Sequence, residues 1–135
     1  MAKVVVTGKI PAVALERLRA EHTVHAWEDE SPIARDELLK RVAGADAIVS
    51  LLTEKIDAEL LDAAGKQLRS VSNVAVGYNN IDVPACRERN VLVTNTPGVL
   101  TEATADIAMA LILMSTRRLA EGERVIRAQQ PWQWG

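Results

Sequence analysis

Short apolar runs alternate with amphipathic stretches along residues 1–98. Three uninterrupted apolar runs, at residues 4–6, 47–49 and 91–93, are predicted strands, and the run at residues 4–6 is typical of a strand that is buried on both faces. Two further segments, 23–27 and 68–74, are also predicted strands. Leucine and alanine recur at helical spacing between these segments, so a helix is predicted after each of the first four strands.

Capping and turn residues mark the predicted helix ends. Pro11 stands where a first helical residue belongs, and Ser31 precedes a proline as an N-cap would. Asp57 and Asp82 are predicted N-caps of the third and fourth helices. The predicted stops, in chain order, are Gly44, Gly65 and Asn90.

This alternation predicts an α/β fold. Five short strands joined by helices form a doubly wound parallel sheet with right-handed crossovers. In a chain of this length they favour the flavodoxin-like order 2-1-3-4-5 over a six-stranded dinucleotide fold. We assign residues 1–98 to this domain.

The pattern changes after Pro97. Residues 101–120 are predicted to form one long helix with Thr101 as its N-cap. Its middle, residues 107–114, is apolar around most of its circumference, so it needs cover from two directions. Trp132 and Trp134 add large apolar side chains close to residue 135. We therefore assign residues 99–135 to a separate segment that other protein surface covers.

Composition and charge exclude several classes of protein. The 135 residues are 48% hydrophobic with a net charge of −2, which excludes a disordered chain and leaves no basic surface for nucleic acid. The longest apolar run has eight residues, too few for a membrane span, and no signal peptide is visible. One cysteine, Cys86, excludes an internal disulfide. We expect a cytoplasmic domain without nucleic-acid or membrane partners.

Elimination leaves no candidate for catalysis or metal binding. The seven glycines are widely spaced, with no G-x-G-x-x-G and no Walker loop, so the sequence has no pyrophosphate site of its own. The two histidines, His22 and His25, flank a predicted edge strand, and Cys86 has no histidine nearby in sequence. We predict neither catalytic nor metal-ligating residues.

The loop after the fourth strand is the segment whose sequence indicates a ligand-binding site. It leaves the carboxyl end of a parallel strand, where open α/β sheets place their ligands. Gly77 allows a turn that points successive backbone N–H groups outward, as in an anion-binding nest. Composition alone is equally compatible with an ordinary glycine-containing loop.

Three stretches of the sequence resemble a known family. Residues 71–82 (VSNVAVGYNNID), 93–97 (VTNTP) and 101–108 (TEATADIA) are similar to the D-isomer-specific 2-hydroxyacid dehydrogenases. The similarity is greatest to the glyoxylate/hydroxypyruvate reductase branch. It covers essentially the whole chain, and the second half carries the more specific motifs.

The resemblance implies a flavodoxin-like substrate domain that is paired with a Rossmann cofactor domain, with a 2-oxo acid in the cleft between them. The backbone N–H groups of Val76 and Gly77 would bind the substrate carboxylate, and Leu51 would line an apolar wall beside it. Thr104 matches a position near the nicotinamide. NAD or NADP would bind the full-length parent, and we expect neither to bind this chain tightly.

The resemblance also implies roles for residues 99–135. The helix that starts at Thr101 would cross into the cofactor domain, and the tail with Trp132 and Trp134 would begin an arm that holds a partner subunit in a homodimer. The catalytic arginine, glutamate and histidine of the family lie in or after the cofactor domain, beyond residue 135. We therefore expect a truncated substrate-binding domain that is inactive alone. The alternative is a stand-alone flavodoxin-like association module that dimerises through residues 101–120.

Overall fold

A computed structural model of the chain describes residues 1–131, and these form two compact units that divide after Pro97. The first unit contains β1 (Lys3–Val6), α1 (Ala12–Glu21), β2 (Thr23–Ala26), α2 (Arg35–Val42), β3 (Ala47–Ser50), α3 (Ala58–Ala64), β4 (Ser70–Asn73), α4 (Val83–Glu88) and β5 (Leu92–Thr94). The second contains α5 (Thr101–Thr116) and α6 (Leu119–Arg127).

The five strands form one parallel sheet in the order β2-β1-β3-β4-β5, which confirms the predicted topology. In the register of the sheet, Val5 lies beside Ile48, and Ile48 lies beside Val71. The direction of winding reverses between β1 and β3. The carboxyl ends of these two strands therefore flank the crevice in which doubly wound sheets bind ligands.

The core explains why residues 4–6 of β1 are continuously apolar. Val4, Val5 and Val6 are all buried, so β1 is covered on both faces. Helix residues complete the core, chiefly Leu38, Val42, Leu60, Leu61 and Cys86. Burial raises the pKa of the Cys86 thiol above its ordinary value, so the thiol stays protonated at neutral pH and packs as an inert apolar group.

Most predicted helix ends are confirmed, but Pro11 is the N-cap of α1 and not its first helical residue. Asp57 accepts a hydrogen bond from the Leu60 N–H at 3.2 Å, and Asp82 accepts one from the Ala85 N–H at 3.0 Å. The predicted stops have left-handed backbones, with φ of 74° at Gly44, 100° at Gly65 and 56° at Asn90.

The predicted N-cap at Ser31 is wrong, because α2 begins at Arg35 with Ala34 as its N-cap. Ser31 lies in a preceding turn, where its N–H donates to the Asp29 carboxylate and its carbonyl accepts from the Trp27 indole.

The predicted single helix over residues 101–120 is also wrong. The chain forms two helices, and the break falls at Arg118, which adopts a left-handed φ of 53°. The Thr116 hydroxyl donates back to the Ile112 carbonyl at 2.9 Å, a type of bond that slightly destabilises and often bends a helix. Thr101 is the first helical residue, and Leu100 is the N-cap. No residue of α5 is buried in the part of the chain that the structure describes, whereas Trp132 and Trp134 lie outside the described residues.

The cap of α3 also carries an ion pair. Arg35 donates to the Asp57 carboxylate at 2.5 Å and to Glu59 at 2.7 Å. Burial alone would raise the pKa of Asp57, but hydrogen bonds from the Arg35 guanidinium and the Leu60 N–H outweigh it and hold the pKa below its ordinary value. This carboxylate therefore stabilises the fold above a pH of about 3.9, and the stabilisation is lost as the pH falls through the lower folded-state pKa.

We expect Asp57→Ala to lower the free energy of unfolding by about 1–2 kcal/mol at pH 6, because it removes a helix cap and an ion pair. Asp57→Asn keeps a capping oxygen and should lower the free energy of unfolding by a smaller amount. Urea unfolding at pH 6 and pH 3 measures both effects. The difference between wild type and Asp57→Asn should shrink at pH 3, and a difference that is independent of pH would contradict the assigned role of the charge.

Candidate functional site

The candidate site lies at the carboxyl edge of the sheet, where the loops after β1, β2 and β3 line a crevice and the loop after β4 is hydrogen-bonded to the loop after β3. An open crevice of about 410 Å³ lies at the reversal point between β1 and β3. Its walls include Thr7, Gly8 and Lys9 after β1 and Leu51 and Thr53 after β3. The fold therefore places a crevice where parallel sheets of this topology bind ligands.

Leu51, one of the predicted site residues, forms part of the crevice wall. Its side chain is half-buried and packs directly over Gly8, so closely that a Cβ atom at position 8 would collide with the Leu51 Cδ1 atom. Glycine at this position thus makes room for the leucine side chain, which supplies apolar surface beside the polar loops.

A buried carboxylate, Glu54, holds the loop after β3. Its side chain accepts hydrogen bonds from the Thr7 hydroxyl at 2.5 Å, from the Leu51 N–H at 2.9 Å and from the Thr53 hydroxyl. Only 5% of the residue is exposed, and these three donors compensate the loss of water around the carboxylate. Sequence reasoning missed Glu54, because an acidic residue just before a helix is usually solvated.

Two asparagines connect the loops after β3 and β4. Asn73, which is only 2% exposed, donates to the Gly77 carbonyl at 2.9 Å and to the Asn80 amide oxygen at 3.1 Å. Asn80 donates to the Leu51 carbonyl at 3.0 Å, and the Ser50 hydroxyl donates to the Asn73 amide oxygen at 2.9 Å. The predicted residues Leu51 and Gly77 therefore belong to one hydrogen-bonded assembly.

The backbone N–H groups of Val76 and Gly77 are available to a ligand. Within residues 1–131 neither group donates to a protein acceptor, and both residues are exposed. Gly77 does not have the left-handed φ that a nest of alternating backbone conformations would use. A Cβ atom at Gly77 would meet no other atom within 4 Å, so the glycine leaves open space instead of permitting a special turn.

The fourth predicted residue, Thr104, lies in the second unit near the start of α5. Its N–H donates to the Leu100 carbonyl at 2.9 Å, and its side chain is exposed. Among the described residues, no group of three histidine, cysteine, aspartate or glutamate side chains is placed to hold a metal ion. No helix in residues 1–131 is long and apolar enough to cross a membrane.

The described residues do not fit a dinucleotide cofactor. A pyrophosphate requires closely spaced glycines that expose backbone N–H groups at a helix N-terminus. In residues 1–131, Gly8 is packed under Leu51, while Gly44 and Gly65 end helices. These three glycines are therefore not available to form such a loop.

Comparison with known proteins gives consistent results. The family model described as D-isomer specific 2-hydroxyacid dehydrogenase, catalytic domain, matches residues 4–128. Glyoxylate reductases of Thermococcus onnurineus and Pyrococcus horikoshii are each 48% identical to this chain over 126 residues. Each alignment covers 93% of this chain and 37% of the relative, so the chain spans less than half the length of these proteins.

Solved structures show the same similarity. A protein from Thermus thermophilus superposes with a TM-score of 0.89 at 41% identity, covering 98% of this chain and 42% of that one. An NADPH-dependent glyoxylate/hydroxypyruvate reductase from Sinorhizobium meliloti, solved with NADP and malonate, superposes with a TM-score of 0.70 at 33% identity. That alignment covers 94% of this chain and 38% of the reductase.

Proposed function

Because this chain belongs to the D-isomer specific 2-hydroxyacid dehydrogenases, we propose that it is the substrate-binding domain of an NAD(P)H-dependent reductase that acts on small 2-oxo acids, with glyoxylate or hydroxypyruvate as the substrate. The relatives named above are glyoxylate reductases and a glyoxylate/hydroxypyruvate reductase, which supports this substrate class. They give no support to the alternative of a stand-alone association module.

One observation carries the proposal for the site. The Val76 and Gly77 N–H groups have no acceptor within residues 1–131, although hydrogen bonds hold their loop in place from both sides. Unpaired donors on a restrained loop suit an anion, because little order is lost when the anion binds. Leu51 would contact the short carbon chain of the substrate from the crevice wall.

Hydride transfer needs groups that the described residues do not supply. They form no pyrophosphate loop, so in this proposal the nicotinamide cofactor and the proton donor are held by protein outside these 135 residues. Thr104 would face the nicotinamide, and residues 99–135 would lead toward the cofactor domain and begin the arm of a cytoplasmic homodimer. The 135-residue chain alone is then inactive.

Titration of the ¹⁵N-labelled chain with oxamate, a stable 2-oxo-acid analogue, tests the proposal. We expect the Val76 and Gly77 amide signals to shift, with a dissociation constant on the order of millimolar, because two hydrogen bonds to a charged group contribute about 3–6 kcal/mol. Acetamide, which has no carboxylate, should leave both signals unchanged. The same chain should not oxidise NADH or NADPH in the presence of glyoxylate.

Gly77→Ala provides the matched variant for this titration. The methyl group meets no protein atom within 4 Å, and φ is not left-handed, so the urea unfolding midpoint should be unchanged. Binding should weaken several-fold, since the methyl group occupies space beside the donor that the carboxylate must approach. Oxamate shifts that are confined to other parts of the chain, or turnover by the chain alone, would contradict the proposal.

A further inference from the structure

We propose that Asn95 is a positioning residue for the substrate carboxylate. Its side-chain amide orients the peptide unit between Val76 and Gly77, so that the Gly77 N–H lies on the same side of the loop as the Val76 N–H. This inference rests on the proposed function, because it explains how the two donors come to act together.

The evidence is a pair of hydrogen bonds from the segment that follows β5. The Thr96 N–H donates to the Ala75 carbonyl at 2.8 Å. The Asn95 side-chain amide donates to the Val76 carbonyl, also at 2.8 Å. Two neighbouring donors thus hold two consecutive carbonyls of the loop after β4, and both carbonyls point toward residues 95–96.

The geometry of the peptide group relates the directions of these two carbonyls to the directions of the N–H groups. In a planar trans peptide the carbonyl and the following N–H point in opposite directions. The Ala75 carbonyl shares a peptide plane with the Val76 N–H, and the Val76 carbonyl shares one with the Gly77 N–H. Because both carbonyls point toward residues 95–96, both N–H groups point away from them on a common side.

This alignment is not the default arrangement of a chain that leaves a strand. Successive side chains and peptide units alternate in direction along an extended backbone. The chain bends over residues 74–76, and the two hydrogen bonds hold that bend. Two donors on one side of the loop suit the two oxygens of a carboxylate, whereas donors on alternating sides would offer only one at a time.

Asn95 is the member of this pair that substitution can remove. The Thr96 contact uses the backbone, while no described side chain other than Asn95 donates to the Val76 carbonyl. Asn95 is half-buried and lies in a loop, so its loss should leave the core intact. Without its amide, the Val76–Gly77 peptide is free to rotate and to turn the Gly77 N–H away from the ligand.

The test compares oxamate binding by ¹⁵N-labelled wild type, Asn95→Ala, Asn95→Asp and Asn79→Ala. Asn79 is an exposed asparagine of the same loop, and its side chain makes no hydrogen bond within residues 1–131, so Asn79→Ala is the control. We expect Asn95→Ala to raise the dissociation constant about tenfold, as for the loss of one hydrogen bond to a charged group. The Gly77 amide should lose most of its response to oxamate, whereas the Val76 amide should keep part of its own.

Asn95→Asp should weaken binding at least as much at neutral pH, because a carboxylate of the same size accepts hydrogen bonds but cannot donate to the Val76 carbonyl. It also serves as the second variant if Asn95→Ala does not fold. An Asn95 variant with wild-type affinity and a wild-type Gly77 response would overturn this inference alone. A wild-type chain that does not respond to oxamate would overturn the proposed function, and this inference with it.

Discussion

Replacing Asn73 by alanine should lower the free energy of unfolding by about 3 kcal/mol and abolish the response of Gly77 to oxamate. The side chain is only 2% exposed and makes hydrogen bonds with the Gly77 carbonyl, Asn80 and Ser50. Its removal leaves the fully buried Ser50 hydroxyl without that partner, and each buried polar group left unpaired costs about 1–3 kcal/mol. It also releases the Gly77 carbonyl, which anchors the proposed carboxylate loop.

Urea unfolding and the oxamate titration measure the two effects separately. Ser72→Ala is the matched control, because Ser72 precedes Asn73 in β4 and is less buried, with a hydroxyl that accepts from Thr94 at 3.0 Å. Ser72→Ala should lower the free energy of unfolding by less than about 1 kcal/mol and leave oxamate binding unchanged. The central place of Asn73 in the assembly would be refuted by an alanine variant as stable as the Ser72→Ala chain.

The second large effect is expected at Glu54. Glu54→Ala should destabilise the domain by about 3 kcal/mol, because it leaves the Thr7 hydroxyl, the Leu51 N–H and the Thr53 hydroxyl without their common acceptor. Glu54→Gln should lower the free energy of unfolding by roughly half as much. Its amide oxygen still accepts a hydrogen bond, but its NH₂ group cannot accept from the donors that surround it. The Leu51 amide signal should move in both variants, because its N–H bonds the carboxylate directly.

Glu59 offers the matched control for Glu54. It lies at the start of the following helix, its side chain is 66% exposed, and its contact with Arg35 is a surface ion pair. Glu59→Ala should therefore change the free energy of unfolding by less than about 1 kcal/mol. We expect thermal unfolding to rank the losses as Glu54→Ala, then Glu54→Gln, then Glu59→Ala, and equal losses in the first and last would contradict a structural role for the buried carboxylate.

The parts of the site that could be predicted from the sequence are those at strand ends. Strand order places the loops after β3 and β4 at one edge, which is why the loop that contains Gly77 could be expected at the carboxyl edge of the sheet. Resemblance to the family added Leu51, Val76 and the identity of the anion as a substrate carboxylate, which remain proposals. In the structure, Gly77 leaves open space beside the loop and does not adopt a left-handed backbone.

Glu54, Asn73, Asn80 and Asn95 could not be predicted in the same way. Each is a polar residue in or beside a loop, and in sequence such residues are indistinguishable from solvated ones. Their importance comes from partners that are distant along the chain, since Thr7 and Glu54 are 47 positions apart and Asn80 and Leu51 are 29 apart. Local pattern carries no information about such pairs.

The predicted helix over residues 101–120 shows a second limit of prediction from local sequence pattern. Hydrophobic pattern correctly predicted helical structure from Thr101 onward, but it could not locate the break at Arg118. At that break Arg118, which is not a glycine, adopts a left-handed backbone, and the preceding Thr116 hydroxyl bonds the Ile112 carbonyl. Neither feature changes the apolar period on which the prediction relied.

The order of strands and helices, the buried valine and isoleucine runs and the caps at Asp57 and Asp82 follow from local sequence, because each depends on periodicity or on neighbours within a few positions. The bond from Thr7 to the buried Glu54, the bond from Asn80 to the Leu51 carbonyl and the bond from Asn95 to the Val76 carbonyl arise only when the strand ends come together. A hydrogen bond needs its two groups at a set distance and angle, and folding alone brings residues so far apart in sequence to that geometry.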